Sequence, residues 1–355
     1  MFTNIKVSIN NVQNMNSNNF LKNKSLLVTG GTGSFGKKLI YKLIKPKYKL
    51  KKIIVFSRDE FKQSEMKKLF SYSELKRLRF FIGDIRDKSR IQIALNKVDI
   101  VIHAAALKQV DTAEYNPQEF IKTNIVGANN LIECCLNSSV EKLLALSTDK
   151  AVNPINLYGA TKLVSDKLFI AANNLVGNNK LKFSVVRYGN VLSSRGSFVP
   201  LLKNLSKNKN NIIPITHKDM TRFWITLEES VDLVQKALKV MKGGEIFIPK
   251  LPSVRVVDLP KVICPKNKVK FVGIRPGEKI HELLCPSENS EGTVEFKNHF
   301  IIKPSIKIKS RDINYINYPG EKGKKVKQNF EYSSGTNKKF LNLNQIRNSL
   351  KNFDD

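Results

Sequence analysis

With 355 residues and 41% hydrophobic content, the chain can bury one large or two medium cores, which excludes a wholly disordered protein. No apolar run approaches the roughly 18 residues of a membrane helix, and residues 1–22 lack the apolar centre of a signal peptide, so a soluble cytoplasmic protein is expected. The net charge of +31 comes from 49 Lys and 12 Arg, and the lysines are scattered rather than clustered, which argues against a dedicated nucleic-acid face.

Residues 1–22 are Asn-rich and aperiodic and read as a disordered extension. From Ser25, "SLLVT", "GGTGSFG" and "KKLIYKLI" read as strand, glycine turn and amphipathic helix. "KKIIVFS", "LRFFIGD", "VDIVIHAAA", "VEKLLALST" and "KFSVVRYGN" follow as short apolar strands separated by helical stretches. This alternation predicts an α/β fold, a Rossmann-type doubly wound parallel sheet, over residues 23–190. Beyond Asn190 the rhythm breaks into loops and short elements, which predicts a smaller substrate-binding lobe over 191–340. Residues 226–250 are expected to return to the sheet, and 341–355 to form a tail with one terminal helix. Cys134, Cys135, Cys264 and Cys285 form no C-x-x-C pair and are expected as buried thiols.

Gly30, Gly33 and Gly36, with Thr32, Ser34 and Phe35 between them, sit where a strand gives way to a helix. Glycines here permit a tight turn and let backbone N–H groups approach a pyrophosphate at the helix N-terminus, so dinucleotide binding is expected. After the second strand an NAD enzyme offers an acid to the ribose 2'-hydroxyl, whereas this chain offers Ser57 and Arg58, with Lys62 a turn later. That favours the 2'-phosphate of NADP, although Asp59 counts against it. Asp84 and Ile85 fall where an adenine edge would lie, and Ala104 and Ala105 give a small-residue floor after the fourth strand.

Tyr158 and Lys162 are four residues apart and share a helix face. An ammonium beside a phenol lowers its pKa, so the pair can take a proton from a hydroxyl while the carbon gives hydride to a nicotinamide. Asp149 and Lys150 follow the fifth strand at the carboxyl end of the sheet. A simple oxidoreductase or a 4-epimerase has no use for this further acid and base. A dehydratase does, because oxidation at C4 of a hexose acidifies the C5 hydrogen for a base, while an acid protonates the departing C6 hydroxyl. Desolvation beneath a bound sugar is expected to favour the uncharged form of both groups. With four His (His103, His217, His281, His299), none at ligand spacing, no metal site is expected, and the histidines are read as structural.

The glycine turn and Y-x-x-x-K pair together resemble the extended short-chain dehydrogenase/reductase superfamily. "SRDEFKQSEM", "FIGDIRD", "IHAAALK", "ALSTDKA", "NPINLYGATK", "MTRFWIT" and "GIRPGEKIHE" sharpen this to a resemblance to the short soluble inverting UDP-N-acetylglucosamine 4,6-dehydratases of pseudaminic acid synthesis, over about residues 24–335. The resemblance implies a catalytic set of Thr148, Asp149, Lys150, Tyr158 and Lys162, with Lys108 approaching the cofactor. It implies that Asn190, Arg195, Arg222, Arg275 and Glu278 hold the UDP-sugar, and that the chain forms homo-oligomers. Gln109 and Asp111 replace the usual His and Pro of "LKHVP", and Ser193 replaces a Gly. Two other readings are a UDP-sugar 4-epimerase, in which Asp149 and Lys150 are structural, and a non-catalytic nucleotide- or RNA-binding protein.

Overall fold

The computed structural model describes residues 19–177, 179–192, 198–208, 210–308 and 312–351. Arg195 and Ser193 lie outside the described residues, as do residues 1–18. Asn19–Leu21 forms a single 3-10 turn whose Leu21 is buried in the main core, so ordered structure begins before the expected boundary at residue 23.

The strands β1 (Ser25–Thr29), β2 (Lys52–Ser57), β3 (Leu78–Ile82), β4 (Ile100–His103), β5 (Lys142–Thr148) and β6 (Lys182–Tyr188) build a parallel sheet in the order β3-β2-β1-β4-β5-β6. Every residue of β1 and β4 is buried, the signature of a sheet covered on both faces. Helix α1 (Ser34–Leu43) turns Gly36, Leu39, Ile40 and Leu43 to that core at helical spacing. The order reverses between β1 and β4, and the crevice at that switch point is where doubly wound folds take their ligands. The architecture is a Rossmann-type α/β fold.

The chain after Asn190 divides between two places. The strand Ile246–Pro249 adds parallel to β6, and His299–Ile302 and Thr293–Glu295 continue the sheet antiparallel beyond it. Helix Leu227–Val240 packs Val231, Val234 and Leu238 on the main core and Lys324–Lys325 pairs at the outer edge of the sheet, while a smaller lobe has its own cluster around Trp224, Val254, Leu259 and Cys264. The terminal helix Leu343–Lys351 belongs to that lobe, burying Ile346 and Leu350, and Ser349 Oγ accepts from Trp224 Nε1 at 3.0 Å. All four cysteines are buried free thiols. Among the described residues, no helix is long and apolar enough to cross a membrane, and no cluster of His, Cys, Asp and Glu has the makings of a metal site.

Candidate active site

A cavity of about 680 Å³ runs from the glycine turn to the smaller lobe. Its floor is backbone. Gly30 sits at φ +64, and a Cβ there would lie 2.9 Å from the Ala104 carbonyl and Ala105 Cα. A Cβ on Gly36 would lie 2.6 Å from Gly31, so only glycine lets the helix start this close to the turn. Gly33 is the N-cap of α1 and brings no side chain to the first helical N–H groups, which leaves them for an anion. The β4 end is fixed by Thr29, whose Oγ1 pairs with His103 at 2.8 Å and accepts from the N–H groups of Ala104 and Ala105 at 3.2 Å. This cradle suits a dinucleotide: Gly30, Gly33, Ser34, Phe35, Gly36, Ala104 and Lys108 line it, while Thr32 is buried beneath.

The residues expected at the ribose lie apart from that cavity. Arg58 is exposed and 3.8 Å from Asp84, which Arg86 also holds at 2.7 Å. Burial works to raise the Asp84 carboxyl, but hydrogen bonds and charge from Arg86, with Arg58 nearby, keep it below its ordinary value. Asp59 caps helix α2 (Glu60–Lys67) by accepting from the Lys62 N–H at 2.9 Å, and also pairs with the Lys62 ammonium. Lys62 is therefore already engaged, which moves the expected 2'-phosphate contact toward Arg58. Ser57 accepts from Gln63 Nε2 at 3.0 Å, and Ile85 is buried against Gly127.

At the carboxyl end of β5, Thr148 caps a short 3-10 turn, Asp149–Ala151, which ends the strand. The turn lets adjacent side chains converge instead of pointing to opposite faces. Asp149 is fully buried; its Oδ1 accepts from Thr148 Oγ1 at 3.0 Å and Lys150 Nζ at 3.1 Å, while its Oδ2 has no partner. Lys150 Nζ also donates to Asn190 Oδ1 at 3.0 Å and lies 3.3 Å from Glu282 Oε1. Burial pushes the Asp149 carboxyl up, and the Glu282 charge adds to that against the pull of Lys150. Burial acts to lower Lys150, but Asp149 and Glu282 together outweigh burial and raise it.

Tyr158 and Lys162 lie on the helix Leu157–Ala171, with Asn156 as N-cap. A Cβ on Gly159 would fall 2.2 Å from the Lys150 carbonyl, so this glycine lets the helix touch the Asp149 turn. Lys162 donates to the Leu146 carbonyl at 2.9 Å. Burial pushes the Tyr158 phenol up to about 12, against lowering by the Lys150 charge and the Thr148 hydroxyl. The lowered phenol expected from the Tyr–Lys spacing is thus not what these side chains produce; burial wins, and the cation acting most strongly on the phenol is Lys150.

Glu278 joins the two arginines of the far wall, 3.0 Å from Arg275 Nη2 and 3.6 Å from Arg222 Nη2. Arg222 is braced by donating to the Thr221 and Ile280 carbonyls at 2.7 and 3.0 Å. Gln109 and Asp111 line the same cavity, and the Asp111 charge reaches Arg275. His281 is structural: its Nδ1 pairs with Thr221 Oγ1 at 2.8 Å, and Gly335 packs against its ring. The structure therefore brings together Thr148, Asp149, Lys150, Tyr158, Lys162, Asn190, Arg222, Arg275 and Glu278 around one space.

Three residues without an expected role complete it. Glu282 ends the "GEKIHE" motif, but nothing in a loop pattern tells which of two acids turns inward. Gly159 carries a readable signal, since glycine inside a helix is otherwise costly. Asn124 clamps Leu107 by accepting from its N–H and donating to its carbonyl, both at 2.9 Å, and donates to Thr161 at 3.1 Å, tying the Ala104–Gln109 segment to the Tyr158 helix.

Residues 26–304 match the polysaccharide biosynthesis protein family. The chain belongs to that family. Among curated relatives it is 52% identical to the inverting UDP-N-acetylglucosamine 4,6-dehydratase of Campylobacter jejuni subsp. jejuni serotype O:23/36 (strain 81-176), over 91% of this chain and 96% of that one. It is 41% identical to the UDP-glucose 4-epimerase of Rickettsia bellii (strain OSU 85-389), over 93% of this chain and 96% of that one. Among solved structures, Pen from Bacillus thuringiensis superposes with a TM-score of 0.84 at 35% identity, covering 94% of this chain and 99% of that one.

Proposed function

We propose that this family member is an NADP-dependent hydro-lyase that converts UDP-N-acetylglucosamine to the 4-keto-6-deoxy sugar of L-arabino configuration, a first step toward pseudaminic acid-type sugars. The observation that carries the reading is the Asp149–Lys150 pair: Lys150 and Tyr158 face a cavity shared by the glycine cradle and the Arg222–Glu278–Arg275 wall, and Asp149 is buried directly behind Lys150. NADP, when bound by the cradle with Arg58 at its 2'-phosphate, would supply the redox chemistry, accepting hydride from C4 and returning it to C6.

Tyr158 takes the O4 proton as its phenolate, the form that the Lys150 charge and the Thr148 hydroxyl favour against burial. Lys150 removes the C5 proton made acidic by the C4 ketone, Asp149 gives its proton to the departing O6 so that water leaves, and a solvent-derived proton delivered to C5 from the opposite face completes the L-arabino 4-keto-6-deoxy sugar. Asp149 suits the acid role because burial and Glu282 favour its protonated form. Passing its proton across the 3.1 Å hydrogen bond to Asp149 makes Lys150 a base and Asp149 an acid in one move. Arg222 and Arg275 suit a diphosphate, which guanidinium groups bind in bidentate fashion, and Glu278 suits a ribose hydroxyl. The protein is read as cytoplasmic and homo-oligomeric, with exposed apolar side chains such as Tyr115 and Ile155 available to a second copy.

The Rickettsia relative keeps a 4-epimerase reading in play. Incubating the purified chain with UDP-N-acetylglucosamine and NADP separates the two by NMR. A 4-keto-6-deoxy product supports the dehydratase, and UDP-N-acetylgalactosamine as sole product overturns it.

A further inference from the structure

Lys150 Nζ has three N–H donors and three acceptors around it: Asp149 Oδ1 at 3.1 Å, Asn190 Oδ1 at 3.0 Å and Glu282 Oε1 at 3.3 Å. Asn190 cannot take a proton, so the ammonium is shared between two carboxylates only. Glu282 is 2% exposed and comes from a loop 132 residues further along the chain (282 − 150 = 132). Its backbone N–H donates to Ser334 Oγ at 2.9 Å, its Oε1 lies 3.8 Å from Arg222 Nε, and its Oε2 is buried without a partner. This buried carboxylate reaches Lys150 on one side and Arg222 of the substrate wall on the other.

We infer that Glu282 is a positioning residue that divides the Lys150 charge, so that Asp149 keeps a proton and acts as the acid of the dehydration. This rests on the dehydratase reading. Were Lys150 to serve Asp149 alone, the pair would settle as an ordinary salt bridge with an ionised Asp149. With Glu282 competing for the ammonium, Asp149 is left with a surplus of negative charge and one bare buried oxygen, and it takes the proton that Lys150 gives up across their hydrogen bond. Glu282 itself stays ionised: burial works to raise it, but Lys150, Arg222 and Lys279 together bring it below its ordinary value. Glu282 also keeps Nζ anchored after the proton moves to Asp149, because a neutral amine still has two N–H groups for Glu282 and Asn190.

The sign of the pH effect follows from the charge. Replacing Glu282 by Gln removes a negative neighbour from both groups, which lowers the Asp149 pKa (a like charge is lost) and the Lys150 pKa (an opposite charge is lost). The other ionisable groups facing the cluster, Arg222, Lys279, Tyr158 and Lys108, are unchanged by the substitution. Both limbs of the bell-shaped kcat profile should therefore move to lower pH by about 1 unit, with KM for the sugar nucleotide little changed. E282D, which keeps the charge but withdraws it by one carbon, should move the limbs less and in the same direction.

The test is kcat against pH for wild type, E282Q and E282D with UDP-N-acetylglucosamine, together with NMR titration of 13C-carboxyl-labelled Asp, the Asp149 signal being assigned by its loss in D149N. The carboxyl titration needs no turnover, so it reads the inference even if E282Q is inactive, and E282D carries it if E282Q does not fold. Acid-shifted limbs and an Asp149 titration moved down in the variants support the role. Lower rates with unmoved limbs and an unmoved Asp149 titration overturn it, leaving Glu282 as a structural residue. A wild-type chain that makes no keto product sinks the dehydratase reading instead, while the Asp149 titration still reports whether Glu282 controls that proton.

Discussion

The two ends of the cavity are built on different principles. The glycine cradle is local, made of backbone from residues 30–36 and held against Ala104 by contacts in which an added Cβ would come within 2.9 Å. The charged end is assembled from afar, with Lys150 of the β5 turn, Asn190 beyond β6 and Glu282 of the smaller lobe meeting at one nitrogen. A backbone cradle is insensitive to protonation and tolerant of surface drift. A cluster of two buried carboxylates, one ammonium and Arg222 depends on every member, because removing one leaves an uncompensated buried charge.

That contrast can be broken most sharply at Lys150. Lys150→Ala should lower kcat by about 10²–10⁴-fold, the span of a general base, while NADP still protects the protein against thermal melting. Near-normal turnover would remove Lys150 from the chemistry and make the charged end structural. At the cradle the expected pattern is reversed. Gly30→Ala puts a Cβ at φ +64 against backbone, costing about 1–3 kcal/mol of stability and weakening NADP, while UDP still binds by calorimetry. Equal loss of both ligands would mean the two ends are not separable.

The smallest effect is expected at Arg58. It is exposed, so Arg58→Ala should weaken NADP by no more than about tenfold, the lower end for a charge-assisted hydrogen bond, and leave NAD binding unchanged. An equal effect on both dinucleotides would move 2'-phosphate selection elsewhere.

The same contrast governs what the sequence revealed. The β1 strand, the glycine spacing and α1 are contiguous, and each residue's role follows from local geometry, so the cradle was readable in full. Tyr158 and Lys162 were readable too, because four residues on a helix fix a common face. Their electrostatics were not: the phenol is governed by burial and by Lys150, neither of which the spacing contains. Lys150 is held charged by Asp149 and Glu282, and no local pattern shows that Glu282 arrives from a distant loop. The smaller lobe is legible only as a change of rhythm, since its strands are two or three residues long in places and four segments beyond Asn190 return to the large sheet.

The most direct test follows one hydrogen. UDP-N-acetylglucosamine carrying deuterium at C4 is turned over in ordinary water, and unlabelled substrate in heavy water, with both products read by NMR. Intramolecular dehydration predicts the C4 deuterium at C6 of the keto product, and one solvent deuterium at C5 in the second experiment. Loss of the C4 label to solvent, or its return to C4 in an epimer with C5 unexchanged, would contradict the assignment of Asp149 and Lys150 as the acid and base of a 4,6-dehydration.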